Sequence, residues 1–91
     1  MDYQTVLKIF RDQIEEIDIE ILNLFAKRFE ISLSIGNLKK ENNLPILDID
    51  RFNTLLEKLK QEGKRNNLDE DFVEDIWNRV HRESISRQGE I

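Results

Sequence analysis

The chain has 91 residues, no cysteine, and 19 acidic against 14 basic side chains for a net charge of −5. That length supports one small domain with a limited core of its own, and the missing thiols remove disulfides and thiolate metal sites. Apolar runs are short and the N-terminus MDYQTVLK lacks a charged-then-apolar build, so neither a membrane span nor a signal peptide is expected and a soluble cytoplasmic protein is the default. An acidic balance without a basic stripe argues against a nucleic-acid partner. It also mildly repels small anions, so any anion site must be built locally from a few cations held close together.

Three glycines and one proline punctuate the chain, and strand-like alternation is absent. The expected fold is therefore all-α, with three helices in a single domain over residues 1–91. The first, over about 5–41, is ended by Asn42, Asn43 and Pro45, because proline disfavours helix in the residue before it. The second, over about 49–63, has Asp48 or Asp50 as its cap and Gly63 as its stop. The third, over about 69–88, opens on Leu68-Asp69-Glu70-Asp71, whose acids suit a helix N-terminus.

The first helix carries an apolar seam at alternating steps of three and four: Leu7, Phe10, Ile14, Ile17, Ile21, Leu24, Arg28, Ile31, Ile35 and Leu38. A helix of roughly 37 residues spans roughly 55 Å, whereas a compact globule of this length is roughly 30 Å across. The short second and third helices cannot cover all of that seam. A second copy of the chain is the simplest cover, giving an intertwined homodimeric helical bundle.

Nine of the ten seam positions are apolar and the tenth is Arg28. Its neighbours three and four residues away are Leu24, Phe25, Ile31 and Ser32, none of them acidic. Lys39 lies eleven residues on, close to the same face, and its neighbours Ile35, Gly36, Asn42 and Asn43 also offer no carboxylate. A long charged side chain beside a seam ordinarily snorkels to water, and an ion pair with another helix is the next plain explanation. Two cations on one face beside the small residues Ser32 and Gly36 favour a third: a pocket for an anionic ligand.

The third helix repeats the theme. Its inward stripe of Val73, Ile76 or Trp77, and Val80 continues as His81, Ser84 and Gln88, turning polar in the last two turns. Fraying at a helix end explains that equally well; opposite Arg28 and Lys39 these residues would be neutral donors for a polar ligand. On the second helix Ile49, Phe52, Leu56 and Leu59 form the core face, with Arg51 beside it and Asp48 three residues earlier. Arg11, with Glu15 four residues on, reads first as a surface pair. It lies seventeen residues from Arg28, ~25 Å along a helix, so only antiparallel copies bring both to one small ligand.

Arg11, the segment IDIEILNLFAKR ending in Arg28, Lys39, LPILDIDR with Asp48 and Arg51, then LDEDFV and ESISRQ with Ser84 and Gln88, together resemble the AroQ-class chorismate mutases. The likeness covers essentially the whole chain and looks closest to the mutase domain that begins bacterial bifunctional mutase–prephenate dehydratases. It implies an intertwined all-helical dimer that rearranges chorismate to prephenate, toward phenylalanine and tyrosine, with no metal, cofactor or covalent intermediate. By the same resemblance, Arg28 and a second copy's Arg11 would hold the two substrate carboxylates. Lys39 and Gln88 would donate to the ether oxygen. Asp48, largely through its backbone, would help place the ring hydroxyl, Ser84 and Arg51 would support carboxylate binding, and Ser32, Ile35, Phe52, His81 and Ile85 would line the pocket.

Two positions depart from the family pattern. Phe52 stands where a glutamate usually accepts the ring hydroxyl's hydrogen bond, and His81 where relatives tend to be apolar. These departures motivate a non-catalytic alternative, a ligand-binding or dimerisation module on a mutase scaffold. Isochorismate–pyruvate lyase is a second enzyme on the same scaffold, and Asp48 and Arg51 in their mutase context argue against it. Because Gln88 is neutral, no site acid needs protonating, and kcat is expected to change little between about pH 8 and about pH 6. A pH–rate profile checks this, and a steep fall across that window contradicts it.

Overall fold

A computed structural model describes residues 2–89. All regular structure among them is helical: α1 spans Tyr3–Glu41, α2 Ile49–Arg65 and α3 Glu70–Arg87. None of these helices is long and apolar enough to cross a membrane. The chain falls into two compact units, Met1–Glu30 and Ile31–Ile91.

The first unit contains the N-terminal part of α1. The helix starts two residues earlier than the periodicity suggests, because the Asp2 carboxylate accepts from the Thr5 N–H at 2.8 Å and satisfies an otherwise orphaned donor. That hydrogen bond holds the Asp2 carboxyl below its ordinary value. Seam residues Leu7, Phe10, Ile14, Ile17, Ile21 and Leu24 are all exposed in this chain, Ile14 and Leu24 by 59% each. Phe25 and Phe29, one turn apart, stack with ring centroids 6.1 Å apart.

The second unit holds the end of α1 together with α2 and α3. α1 closes in a left-handed cap: Asn43 takes φ 55°, Leu44 N–H donates to Lys39 O at 2.8 Å, and Asn43 N–H to Lys40 O at 3.3 Å. Asp48 caps α2 by accepting from Arg51 N–H at 3.0 Å, and Asp69 caps α3 by accepting from Phe72 N–H at 3.1 Å. α2 and α3 pack through the buried Leu56, Val73 and Val80, with Leu59 and Trp77 half-buried beside them. Of the two candidates for the inward position on α3, Trp77 is therefore the one used, and Ile76 is exposed. Ion pairs Lys60–Glu74 (3.1 Å) and Lys64–Glu70 (2.7 Å) tie the rims of the two helices. The Lys64 ammonium on Glu70 holds that carboxyl below its usual range.

Two expectations for α2 are corrected. The helix does not stop at Gly63 but continues to Arg65. Its left-handed residue is Asn67, at φ 59°, with Leu68 N–H donating to Gly63 O at 2.9 Å and Asn67 N–H to Lys64 O at 3.1 Å. Gly63 serves instead a close approach of helices: it is buried, and a Cβ there would lie 2.9 Å from Val73 Cγ2. Ile49, expected in the core face, is the first residue of α2 and is 52% exposed, so the core face begins at Phe52.

The two roles make opposite predictions. Gly63→Ala gains about 1 kcal/mol of helix propensity but forces overpacking, and is expected to lower stability by a net amount of about 1 kcal/mol. Asn67→Gly, at a left-handed position, is expected to raise it slightly. Urea unfolding at fixed protein concentration measures both, and a stabilised Gly63→Ala contradicts the close-approach reading.

Candidate active site

The cap that ends α1 determines where Lys39 points its chemistry. Lys39 sits two residues before the helix end at Glu41, and the left-handed turn at Asn43 swings the chain back over it. Its Nζ donates to the Ile46 carbonyl at 2.7 Å, and the residue is half-buried. An ammonium has three donors, and only this one is spent among the described residues. Ile46 acts here through its carbonyl, which any residue supplies, so no sequence signal marks it.

One and two turns earlier on α1 lie Gly36 and Ser32, both buried. As small residues they were expected to leave room for a ligand. The structure fills that room with the end of α3. Ser32 Oγ donates to Ser84 Oγ at 3.2 Å, and both serines are only 6% exposed. Gly36 faces Gln88 so closely that a Cβ at 36 would lie 2.9 Å from both Gln88 Cα and Gln88 Cβ. The pairs 32/36 and 84/88 each repeat at one helical turn, so the two segments meet along matched faces.

Gln88 is the C-terminal cap of α3, its N–H shared between Ser84 O at 3.0 Å and Ile85 O at 3.1 Å. Its side-chain Oε1 is buried and has no hydrogen-bond partner among the described residues. A buried amide oxygen left unpaired costs about 1–3 kcal/mol, which a bound polar group or water recovers. The terminal torsion of glutamine is roughly two-fold, so a half-turn presents the amide N–H₂ at the same place. Gly36 and Lys39 are three residues apart on α1, so Gln88 packs on the helix about one turn before Lys39.

The α2 start brings the other expected residues. Asp48 spends its carboxylate on the cap, leaving its carbonyl to accept from Phe52 N–H at 3.1 Å. Arg51 is exposed and forms no ion pair among the described residues, so the surface pair with Asp48 is a backbone contact only. Phe52 is half-buried and stacks face to face on His81, with centroids 3.9 Å apart and planes 17° off parallel. His81 thus ties α3 to the α2 start where an acceptor was expected. Ile85 is half-buried one turn on from His81, and Ile35 is 41% exposed.

Arg11 and Arg28 belong to the first unit. Arg11 is exposed and, contrary to the expected pair with Glu15, forms no ion pair among the described residues. Arg28 is half-buried and already engaged by a neighbouring group of the protein. Its functional assignment therefore rests on its place in the sequence pattern and not on a missing counter-ion.

The sequence profile of the family described as chorismate mutase type II matches residues 10–89. A bifunctional chorismate mutase/prephenate dehydratase of Buchnera aphidicola subsp. Schizaphis graminum is 42% identical over 79 residues, covering 87% of this chain and 20% of that protein. The T-protein of Haemophilus influenzae is 31% identical over 90 residues, 99% of this chain and 24% of its own length. The bifunctional chorismate mutase/prephenate dehydratase of Escherichia coli K12 is 31% identical over 88 residues, 97% of this chain and 23% of its own. The chain thus spans a fifth to a quarter of the length of these relatives. The match runs through all three helices and through every residue assembled at the end of α1, and the chain belongs to the chorismate mutase type II family.

Proposed function

We propose that the chain is a chorismate mutase, converting chorismate to prephenate in phenylalanine and tyrosine biosynthesis, with its site completed in a cytoplasmic homodimer. One observation carries the reading. The end of α3 seats on α1 so that Gln88, whose buried amide oxygen has no partner among the described residues, packs on Gly36, one turn before Lys39, whose ammonium spends one of its three donors on the Ile46 carbonyl.

The rearrangement breaks the ether carbon–oxygen bond as a new carbon–carbon bond forms, within one molecule and with no proton moved. Negative charge grows on the ether oxygen as its bond stretches. Lys39 and Gln88 donate to that oxygen more strongly in the transition state than in the ground state, which is what accelerates the step. Each such donor is worth ~3–4 kcal/mol, or a few hundredfold in rate.

Chorismate is a dianion and must be folded before it can react. Guanidinium forks from Arg28 and from a second copy's Arg11 clamp its carboxylates, with Ser84 and Arg51 in support, and fix the reactive conformer. The dimer is supported by α1: all nine apolar seam residues, including Ile31, Ile35 and Leu38, are exposed in the single chain. A stripe of that extent is covered by association in soluble proteins.

Arg28→Ala and Lys39→Ala are each expected to cut prephenate formation by at least a few hundredfold with helical circular dichroism near normal. Unchanged turnover in either contradicts the proposal. The shared site has its own test, by mixing Arg11→Ala and Arg28→Ala chains after mutual unfolding and refolding. A mixed dimer holds one site with both arginines, so roughly a quarter of wild-type activity should return from two inactive parents. No recovery in dimers shown by sedimentation to have mixed contradicts the sharing of sites.

A further inference from the structure

Gly36 sits in the interior of a helix, where glycine costs about 1 kcal/mol relative to alanine. It has no turn to make and its backbone is helical. What it provides is absence: a Cβ would lie 2.9 Å from Gln88 Cα, 2.9 Å from Gln88 Cβ and 3.0 Å from Gln88 Cγ. Two of these three atoms are fixed to the backbone of the α3 cap. No swing of a flexible tip relieves the clash, so an alanine must push the whole cap away from α1.

The amide that this cap carries has little else to locate it. Its oxygen has no hydrogen-bond partner among the described residues. The backbone is held to α3 by the Gln88 N–H bonds to Ser84 and Ile85, and α3 is held to α1 one turn earlier by Ser32 and Ser84 at 3.2 Å. Contact with Gly36 is what sets the distance of the Gln88 stem from the helix that bears Lys39.

We infer that Gly36 is a positioning residue for catalysis: by lacking a side chain it sets the depth at which Gln88 sits, and Ser32 assists by fixing Ser84. This rests on the reading of Gln88 as a donor to the breaking bond. Carbon atoms in ordinary contact lie about 3.5–4.0 Å apart, so a Cβ at 36 displaces the cap by roughly 0.5–1 Å. A displacement near 1 Å costs roughly a hundredfold in an aligned reaction.

The experiment is a double-mutant cycle on the full chain, with Gly36→Ala, Gln88→Ala and both together. Gly36→Ala is expected to lower kcat about 10- to 100-fold with KM changed less than about 3-fold. In the Gln88→Ala background the same change should cost nothing further, because the group it misplaces is gone. Full kcat in Gly36→Ala, or an equal loss with and without Gln88, overturns the inference while leaving Gln88's role standing. A Gln88→Ala enzyme with wild-type kcat instead overturns the reading of Gln88 itself. If Gly36→Ala loses its helical signal, Ser32→Ala takes its place in the cycle, since it deletes one oxygen and adds no bulk. A several-fold fall in kcat that disappears without Gln88 supports the inference, and a fall independent of Gln88 overturns it.

Discussion

The seating of the α3 end on α1 governs the arrangement of the candidate site. Ser32 and Gly36 present two small surfaces one turn apart, and Ser84 and Gln88 meet them at the same interval. One contact is a buried hydroxyl pair and the other a near-touching approach of backbone to backbone. Everything polar that the proposed reaction draws from α3 is placed by that docking. A tight steric seat suits this purpose because packed interiors resist displacement, whereas a lone hydrogen bond to a long side chain leaves several rotamers open.

A second constraint works from the other side. The left-handed turn at Asn43 returns the chain over the last turn of α1 and delivers the Ile46 carbonyl to Lys39. The lysine is thereby held by a neutral group, and it pairs with no carboxylate among the described residues. Its full charge is available to an anionic ligand in an otherwise acidic protein, which is the local electrostatic condition that a net charge of −5 demands. Holding charged groups with uncharged partners keeps their field directed outward from the protein into the site.

The Phe52–His81 stack alters what the α2 side of the site offers. An aromatic face replaces the acceptor that the family pattern places at position 52, and the imidazole lies against it at 3.9 Å. The pair gives α2 and α3 a rigid apolar contact close to Asp48 and Arg51. Recognition of the substrate in the proposed reaction therefore leans on the carboxylate clamps and the ether-oxygen donors more than on the ring hydroxyl.

Much was legible in the residues themselves. The all-helical class, the three elements, an acidic cap for α2 at Asp48 or Asp50, an acidic start for α3 and the inward Leu56, Val73 and Val80 follow from local periodicity and capping chemistry, which act within a few residues and so are written in order along the chain. The candidate site residues were named from their order and spacing, and of these the structure seats Ser84 and Gln88 against Ser32 and Gly36. What tertiary structure alone decided concerns small residues and carbonyls. Gly63 was expected to end a helix and instead admits Val73; Ser32 and Gly36 were expected to make space and instead receive Ser84 and Gln88; the Ile46 carbonyl gave no sign at all. A glycine announces only that a side chain is missing, and every residue has a carbonyl. Which neighbour occupies that space, and which donor reaches that oxygen, is fixed by segments distant in sequence, and no local rule carries that information.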